Sequence, residues 1–244
     1  MRIICLITFL IACSWNLNSF SQKGVTTFGL QYKPIIPNRF IGMYEQDFDS
    51  AQFFSTVKQR MGHSFGGVIR YGLTKNLSFE TGLNLTYRNF GLAFSVPDSG
   101  YVGNEKLSVV SYEIPLTCLI YIQLSDALFI NTSLGSAITL FPSSVSVPSP
   151  ITNGEYFLQE GAYRNKIQGA LLANVGFEYR TKQKGYFYLG TSYHLPFTSI
   201  MTFAMSYEYS GGKVVVIDNI RGSYLTVDLR YFFHEQPEKR EAKP

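Results

Sequence analysis

The chain alternates. In its last strand-like segment Leu225, Val227, Leu229, Tyr231 and Phe233 fall on one face, and Thr226, Asp228 and Arg230 on the other. A β-strand turns successive side chains to opposite faces, so one face here is apolar and its reverse ionic. The same rule sets Phe187, Leu189, Tyr193 and Leu195 against Gly190, Ser192 and His194, and Ile167, Leu171, Val175, Phe177 and Tyr179 against Gln168, Asn174, Glu178 and Arg180. It also sets Val110, Tyr112, Ile114, Leu116, Ile120 and Ile122 against Ser111, Glu113, Thr117 and Gln123, and Leu77, Phe79, Leu83, Leu85 and Tyr87 against Ser78, Glu80, Asn84 and Arg88. Thr26 to Tyr32, Ser64 to Leu73 and Leu128 to Leu140 are weaker, glycine-rich versions, which brings the segments to eight, an even number.

Alternation by itself also suits a soluble sandwich or barrel with its apolar face inward. The choice turns on which face water can wet. Only 16% of the residues are charged, against roughly 25% in soluble domains, and the ionic faces are small or polar residues with single charges between them. The apolar rows are nearly unbroken and rich in Tyr, Phe and Leu, a surface that suits lipid with aromatic girdles at its edges. Each segment has about the 9 to 11 residues of a tilted membrane strand, and closure removes edges that hydrocarbon would not tolerate. The expected fold is all-β: an eight-stranded antiparallel transmembrane up-and-down β-barrel.

Three connections are short, at Thr74 to Asn76, Ser125-Asp126 and Lys182 to Gly185. Four are long and polar, at Pro34 to Arg60, Pro97 to Lys106, Phe141 to Asn165 and Ser199 to Gly222. In outer-membrane barrels short turns are periplasmic and long loops extracellular, which puts both termini in the periplasm. Before the barrel, Met1 and Arg2 lead into the apolar run Ile3 to Ala12, too short to span a bilayer and the length of a secretory h-region. Ser19-Phe20-Ser21 then supplies the small residues of a cleavage site before Gln22, so residues 1–21 read as a signal peptide, 22–233 as the barrel and 234–244 as a charged, flexible periplasmic tail. A rival reading takes Leu10-Ile11-Ala12-Cys13 as a lipobox. Cleavage leaves Cys118 as the one cysteine, so no disulfide framework is expected. The formal charge of +4 is scattered, which excludes a nucleic-acid face.

Tyr112-Glu113-Ile114-Pro115-Leu116, the stretch Tyr188-Leu189-Gly190-Thr191-Ser192-Tyr193 and the closing Tyr224 to Phe233 resemble the small outer-membrane proteins grouped as the PorT-like, or outer membrane protein β-barrel domain, family. The resemblance covers essentially the whole mature chain. It implies outer-membrane lipid as surroundings, the barrel-assembly machinery as a partner recognising an aromatic-ended last strand through Tyr231 and Phe233, and, for some members, a role in a protein secretion system.

On strand parity Arg70, Glu80, Arg88, Glu113, Glu178, Arg180, Asp228 and Arg230 all point into the lumen, four bases and four acids. An eight-stranded barrel has room inside only for side chains, and buried charges need partners, so the expected lumen is a plug of ion pairs with no free path for solutes. A proton or ion path is the competing use of the same residues. Catalysis at a lipid would need a nucleophile and a base near one leaflet. Ser192 and His194 share the lumen face, a poor approach for an acyl chain, so no catalytic residue is assigned. The acidic residues Glu45, Asp47 and Asp49 read as a solvated loop more readily than as a calcium site. No zinc spacing, phosphate loop or dinucleotide fingerprint occurs, and neither metal nor cofactor is expected.

The first and third long loops are more apolar than solvated loops need, through Phe40, Met43, Tyr44, Phe48, Phe53 and Phe54 and through Tyr156, Phe157 and Leu158. These side chains either contact a partner or pack on each other to cap the barrel mouth. The function expected is that of a non-enzymatic outer-membrane protein that engages secretion or envelope machinery through its loops or tail. A narrow channel and a lipid A-modifying enzyme are the alternatives.

Overall fold

The computed structural model describes residues 24–37, 44–49, 53–142, 144–148, 154–163, 165–181, 183–220 and 222–234. The signal peptide with Cys13 and the cleavage site, Phe40 and Met43 of the first loop, and all of the tail after His234 lie outside the described residues.

Among the described residues thirteen strands follow in chain order: β1 (Thr26–Ile36), β2 (Glu45–Asp49), β3 (Phe54–Gly72), β4 (Leu77–Val96), β5 (Tyr101–Gln123), β6 (Leu128–Leu140), β7 (Val145–Pro148), β8 (Tyr156–Ala162), β9 (Ile167–Arg180), β10 (Tyr186–Pro196), β11 (Met201–Tyr209), β12 (Gly212–Ile220) and β13 (Tyr224–Phe232). Eight of them pair in the ring β1-β3-β4-β5-β6-β9-β10-β13 and back to β1. Every pairing in the ring is antiparallel. Closure runs through Thr27 opposite Arg70 and Tyr32 opposite Phe65 between β1 and β3, and through Leu30 opposite Tyr231 between β1 and β13. The fold is thus an up-and-down barrel of eight strands.

One end of the barrel is closed by three tight turns built alike. Thr74 Oγ1 accepts from Leu77 N at 3.1 Å, Ser125 Oγ from Leu128 N at 3.2 Å and Thr181 Oγ1 from Lys184 N at 2.8 Å. In each a hydroxyl stands in for the backbone acceptor, which reverses the chain within a few residues.

Around the lower barrel the apolar rows face outward. Leu30 is 58% exposed, Leu83 55%, Leu134 60%, Phe177 51% and Leu189 55%; so continuous a band is suited to hydrocarbon and not to water. The opposite end departs from the expected long loops. Three of the four connections carry strands: β2 and half of β3 occupy the first, β7 and β8 the third, and β11 and β12 the fourth. The second shrinks to a turn at 97–100, because β5 already begins at Tyr101. β7, β8, β11 and β12 make a second antiparallel sheet in the order β12-β11-β8-β7.

The reason lies on the inner face. Along β4 the even-numbered residues point inward throughout, but above Arg88 they change from Ser78, Glu80, Asn84 and Thr86 to the buried Phe90, Leu92, Phe94 and Val96. The outer face changes in the opposite sense, from Leu83, Leu85 and Tyr87 to Asn89, Gly91, Ala93 and Ser95. β5 mirrors this, with Leu107 and Val109 buried above Ser111 and Glu113. The barrel wall therefore continues past the apolar band as the wall of a water-soluble cap. Asn89 marks the changeover: its Nδ2 donates to Met61 O at 2.8 Å beside the irregularity between Arg60 and His63, and its Oδ1 accepts from Ser108 Oγ at 2.8 Å.

The changeover fixes where lipid must end. Leu83→Arg puts a guanidinium at the middle of the band and should cost about 2–4 kcal/mol. Ala93→Arg, on the same outer face above Asn89, should stay within about 0.5 kcal/mol of the parent. Urea unfolding in phospholipid vesicles measures both, and equal costs would mean the boundary lies elsewhere.

Candidate functional site

Four cation-bearing strands converge on the lower lumen. From β3, Arg70 donates Nε and Nη2 to Glu80 Oε2 at 3.2 and 3.1 Å and Nη1 to Glu178 Oε2 at 2.6 Å. Arg180 Nε donates to the other oxygen of Glu178 at 2.6 Å. From β13, Arg230 Nη1 donates to Glu80 Oε1 and its Nη2 to Asp228 Oδ2 at 2.7 Å. Lys33 Nζ of β1 stands 3.7 Å from the same Asp228 oxygen. Carboxylates and guanidinia thus alternate across the lumen from β9 to β3, β4 and β13, with each carboxylate shared by two cations, the arrangement that makes buried charge tolerable.

Neutral donors complete the acids. Asp228 accepts from Ser192 Oγ at 2.6 Å, Thr226 Oγ1 at 2.6 Å and Asn174 Nδ2 at 3.2 Å. Tyr188 OH donates to Asn174 Oδ1 at 2.7 Å, and its ring lies inside the wall where Gly176 and Gly190 leave space, since a Cβ on either would collide with the Tyr188 hydroxyl. Aromatic faces floor the layer: Arg70 sits 3.8 Å from the Phe232 centroid, Arg180 4.0 Å from that of Phe129 and Arg230 4.7 Å from that of Tyr188.

A second layer lies above. His194 Nε2 is 2.8 Å from Glu113 Oε2, Tyr224 OH donates to the same carboxylate at 3.2 Å, and the His194 and Tyr224 rings stack at 4.5 Å. Arg88 packs its guanidinium over Tyr224 at 4.8 Å and Phe90 at 5.3 Å. Between the layers is a polar cavity of about 30 Å³ lined by residues that include Lys33, Glu80, Glu113, Asn174, Ser192 and Arg230, a space for one or two waters. The eight lumen charges read from strand parity all stand inside, and two members of their network, Lys33 and His194, were not among them.

The pair Ser192 and His194 is separated by its partners. Ser192 Oγ donates a hydrogen bond to Asp228, while His194 faces Glu113. The interior positions that parity places on one face are thus divided between two carboxylates.

Above both layers the cap has an apolar core. Phe94 stacks on Phe157 at 4.1 Å, Phe53 meets Phe157 edge-on at 5.3 Å, and Phe48 meets Phe203 at 6.2 Å. Of the loop aromatics named as partner contacts, Phe48, Phe53 and Phe157 are therefore corrected to core residues, 2%, 0% and 0% exposed. Phe48 and Phe157 lie on inner faces of paired strands and Phe53 directly before β3, and burial against one another removes more apolar area from water than any loop tip offers. Tyr44 and Tyr156 are half-buried, Tyr44 beneath Lys58 Nζ at 5.5 Å, and Phe54 alone of the described six is open, at 52%. Glu45 pairs with Lys58 at 3.1 Å and Asp47 accepts from Thr56 at 2.8 Å, so both acids serve the β2–β3 ladder. Tyr231 and Phe233 lie on the outer face of the closing strand, 5.4 Å apart edge-to-face, and Tyr231 OH donates to Lys184 O at 2.9 Å.

No family model and no curated protein matches the chain. Among solved structures, the outer membrane protein OprG from Pseudomonas aeruginosa superimposes with a TM-score of 0.51 at 13% identity, over 90% of this chain and 100% of that one. The chain has the fold of an outer-membrane β-barrel. The β domain of the Bordetella autotransporter BrkA aligns at a TM-score of 0.33 and 12% identity over 87% of this chain and 100% of that one. The Pseudomonas putida toluene transporter TodX aligns at 0.18 and 10% over 92% of both. At such identities the likeness to OprG is one of architecture, and no residue role passes from it.

Proposed function

We propose that the chain is an integral outer-membrane protein without enzymatic activity, oriented with its short turns and both termini in the periplasm and its cap outside the cell. It acts through the outer surface of the cap as a docking component of secretion or envelope machinery, a role that the PorT-like resemblance implies for some members. The aromatic Tyr231 and Phe233 end of the last strand serves its delivery to the barrel-assembly machinery.

One observation carries this reading: the interior is filled twice, by the shared carboxylates of the lumen and by the aromatic core above them. A barrel so filled offers no bore to a solute. Nor does it offer an acyl chain a route to Ser192 or His194, whose Oγ and Nε2 face Asp228 and Glu113 inside the lumen. What it presents to other molecules is the cap exterior, where Phe54, Val102 and Ile217 are 52%, 68% and 65% exposed.

Purification of the full mature chain in mild detergent should yield a stoichiometric protein partner, which is lost when Phe54 and Ile217 are both changed to serine. The same preparation in planar bilayers should give no unitary conductance. Regular conductance steps, or lipid A turnover abolished by His194→Ala, would replace the docking reading with the channel or the enzyme. A protein that always purifies alone would remove it.

A further inference from the structure

Where the lipid band ends, on the outer face of β3, β4 and β5, the wall turns basic. The register sets Lys58 and Lys106 on either side of Gly91, and in the row below it sets Arg60 and Ser108 on either side of Asn89. All six positions lie on the outer face. Lys58 is paired with Glu45 of β2 at 3.1 Å. Arg60 and Lys106 are exposed, and among the described residues neither stands within ion-pair distance of a carboxylate. Glu105, the acid next to Lys106 in the chain, alternates to the inner face with Leu107.

The Arg60 side chain lies down along the wall. Its guanidinium covers the buried Gly91, where a Cβ would collide with Nε and Nη2. Gly91 is the register partner of Lys106, and neighbouring strands are about 5 Å apart, so the two free cations stand one strand from each other. Beneath them Met61, 64% exposed at the strand irregularity, and the stacked rings of Phe65 and Tyr87, 6.2 Å apart, carry the apolar band up to the charges. The surface therefore suits a ligand that is anionic at one end and apolar below it. Two exposed charges hold a free anion weakly against water and salt, whereas an anion borne on acyl chains is kept at this height by the hydrocarbon that the band requires. The forked guanidinium matches a phosphate with two N–H donors, and Lys106 adds a point charge.

We propose that this patch binds the phosphate of a lipid A headgroup, with Arg60 and Lys106 on the phosphate and the acyl chains along Met61, Phe65 and Tyr87. The choice of lipid A rests on the orientation proposed above, in which the cap end faces the outer leaflet.

Native mass spectrometry of the full mature chain in detergent, titrated with lipid A, tests the patch whichever way the protein sits in a membrane. A cation near an anionic lipid is worth about five-fold in affinity, so Arg60→Gln combined with Lys106→Gln should bind about twenty-five-fold more weakly than the parent. Both side chains are exposed, so the double variant keeps the parent's fold. Gly91→Ala keeps both charges but displaces the guanidinium, and should fall between the two. Equal binding of lipid A and its dephosphorylated form, an unchanged affinity in the double variant, or displacement of lipid A by an equal concentration of inorganic phosphate would overturn the proposal. Orientation is read separately, by labelling the exposed position of Ala93→Cys, in a Cys118→Ser background, on whole cells with a membrane-impermeant maleimide. Labelling supports the outer leaflet, and its absence overturns the cap-outside reading and lipid A with it, whatever the result in detergent.

Discussion

Glu178→Ala should cost about 3–5 kcal/mol, the penalty for removing one partner of a buried charge cluster. Glu178 is fully buried and accepts from Arg70 Nη1, from Arg180 Nε and, at 3.4 Å, from Asn131 Nδ2. Its loss takes from Arg180 the carboxylate that holds its Nε and leaves Arg70 to Glu80 alone. Arg70 joins β3 to β9 across the lumen, so the damage is not confined to one pair of neighbouring strands. Glu178→Gln keeps an acceptor without the charge and should fall between parent and alanine. The double variant Arg70→Met with Glu178→Leu should recover part of the loss, since both charges then leave the interior together. Urea midpoints in phospholipid vesicles measure all three. Parent-like stability of Glu178→Ala would mean that water reaches the network and that the lumen is not filled as described.

The barrel itself was legible because its wall obeys one rule wherever lipid touches it. Leu225 to Phe233 and Leu77 to Tyr87 keep period two except at Phe232 and Thr81, and their inner Glu80, Asp228 and Arg230 belong to the charge network. What was not legible lay where that rule reverses. Along β4 the geometric alternation never breaks, but the apolar residues move from odd to even positions at Arg88, and a reader following the oily face loses the strand there. Phe90, Leu92, Phe94 and Val96 then stand outside the alternating segment read from Leu77 to Arg88, although they are the continuation of a wall whose inside has become dry. In β3 the irregularity between Arg60 and His63 hides the same continuation by shifting the register. The loop aromatics pointed to burial as readily as to contact, and only their partners across chain distance, such as Phe53 with Phe157, could decide.

The site was partly legible for a related reason. Parity tells which way a side chain points but not how high in the barrel it sits. Ser192 and His194 share a face and meet different acids, because Asp228 lies opposite Gly190 and Glu113 comes from the far side of the lumen. Lys33 escaped notice because Pro34 follows it and suggests the end of a strand, whereas β1 continues to Ile36 and turns the ammonium inward toward Asp228.

Phe157→Ala should cost about 3–5 kcal/mol, as truncation of a fully buried Phe does, and the loss should appear in the cap before the barrel. The ring is the hub of the cap, stacked on Phe94 from one wall and edge-on to Phe53, with Tyr207 of β11 at 6.1 Å. The cap sheet has no part in the closed ring of eight strands, whose backbone hydrogen bonds and lipid-facing rows remain when the cap loosens. Amide exchange should therefore rise in β8, β11 and β12 of this variant while β6, β9 and β10 stay protected. The variant also separates the two closures of the interior. If the charge layer alone blocks the bore, Phe157→Ala remains silent in planar bilayers even with its cap open. If it conducts, the cap is the stopper, the lumen beneath it is a path, and the shared carboxylates of Glu80, Glu178 and Asp228 line a pore instead of filling one.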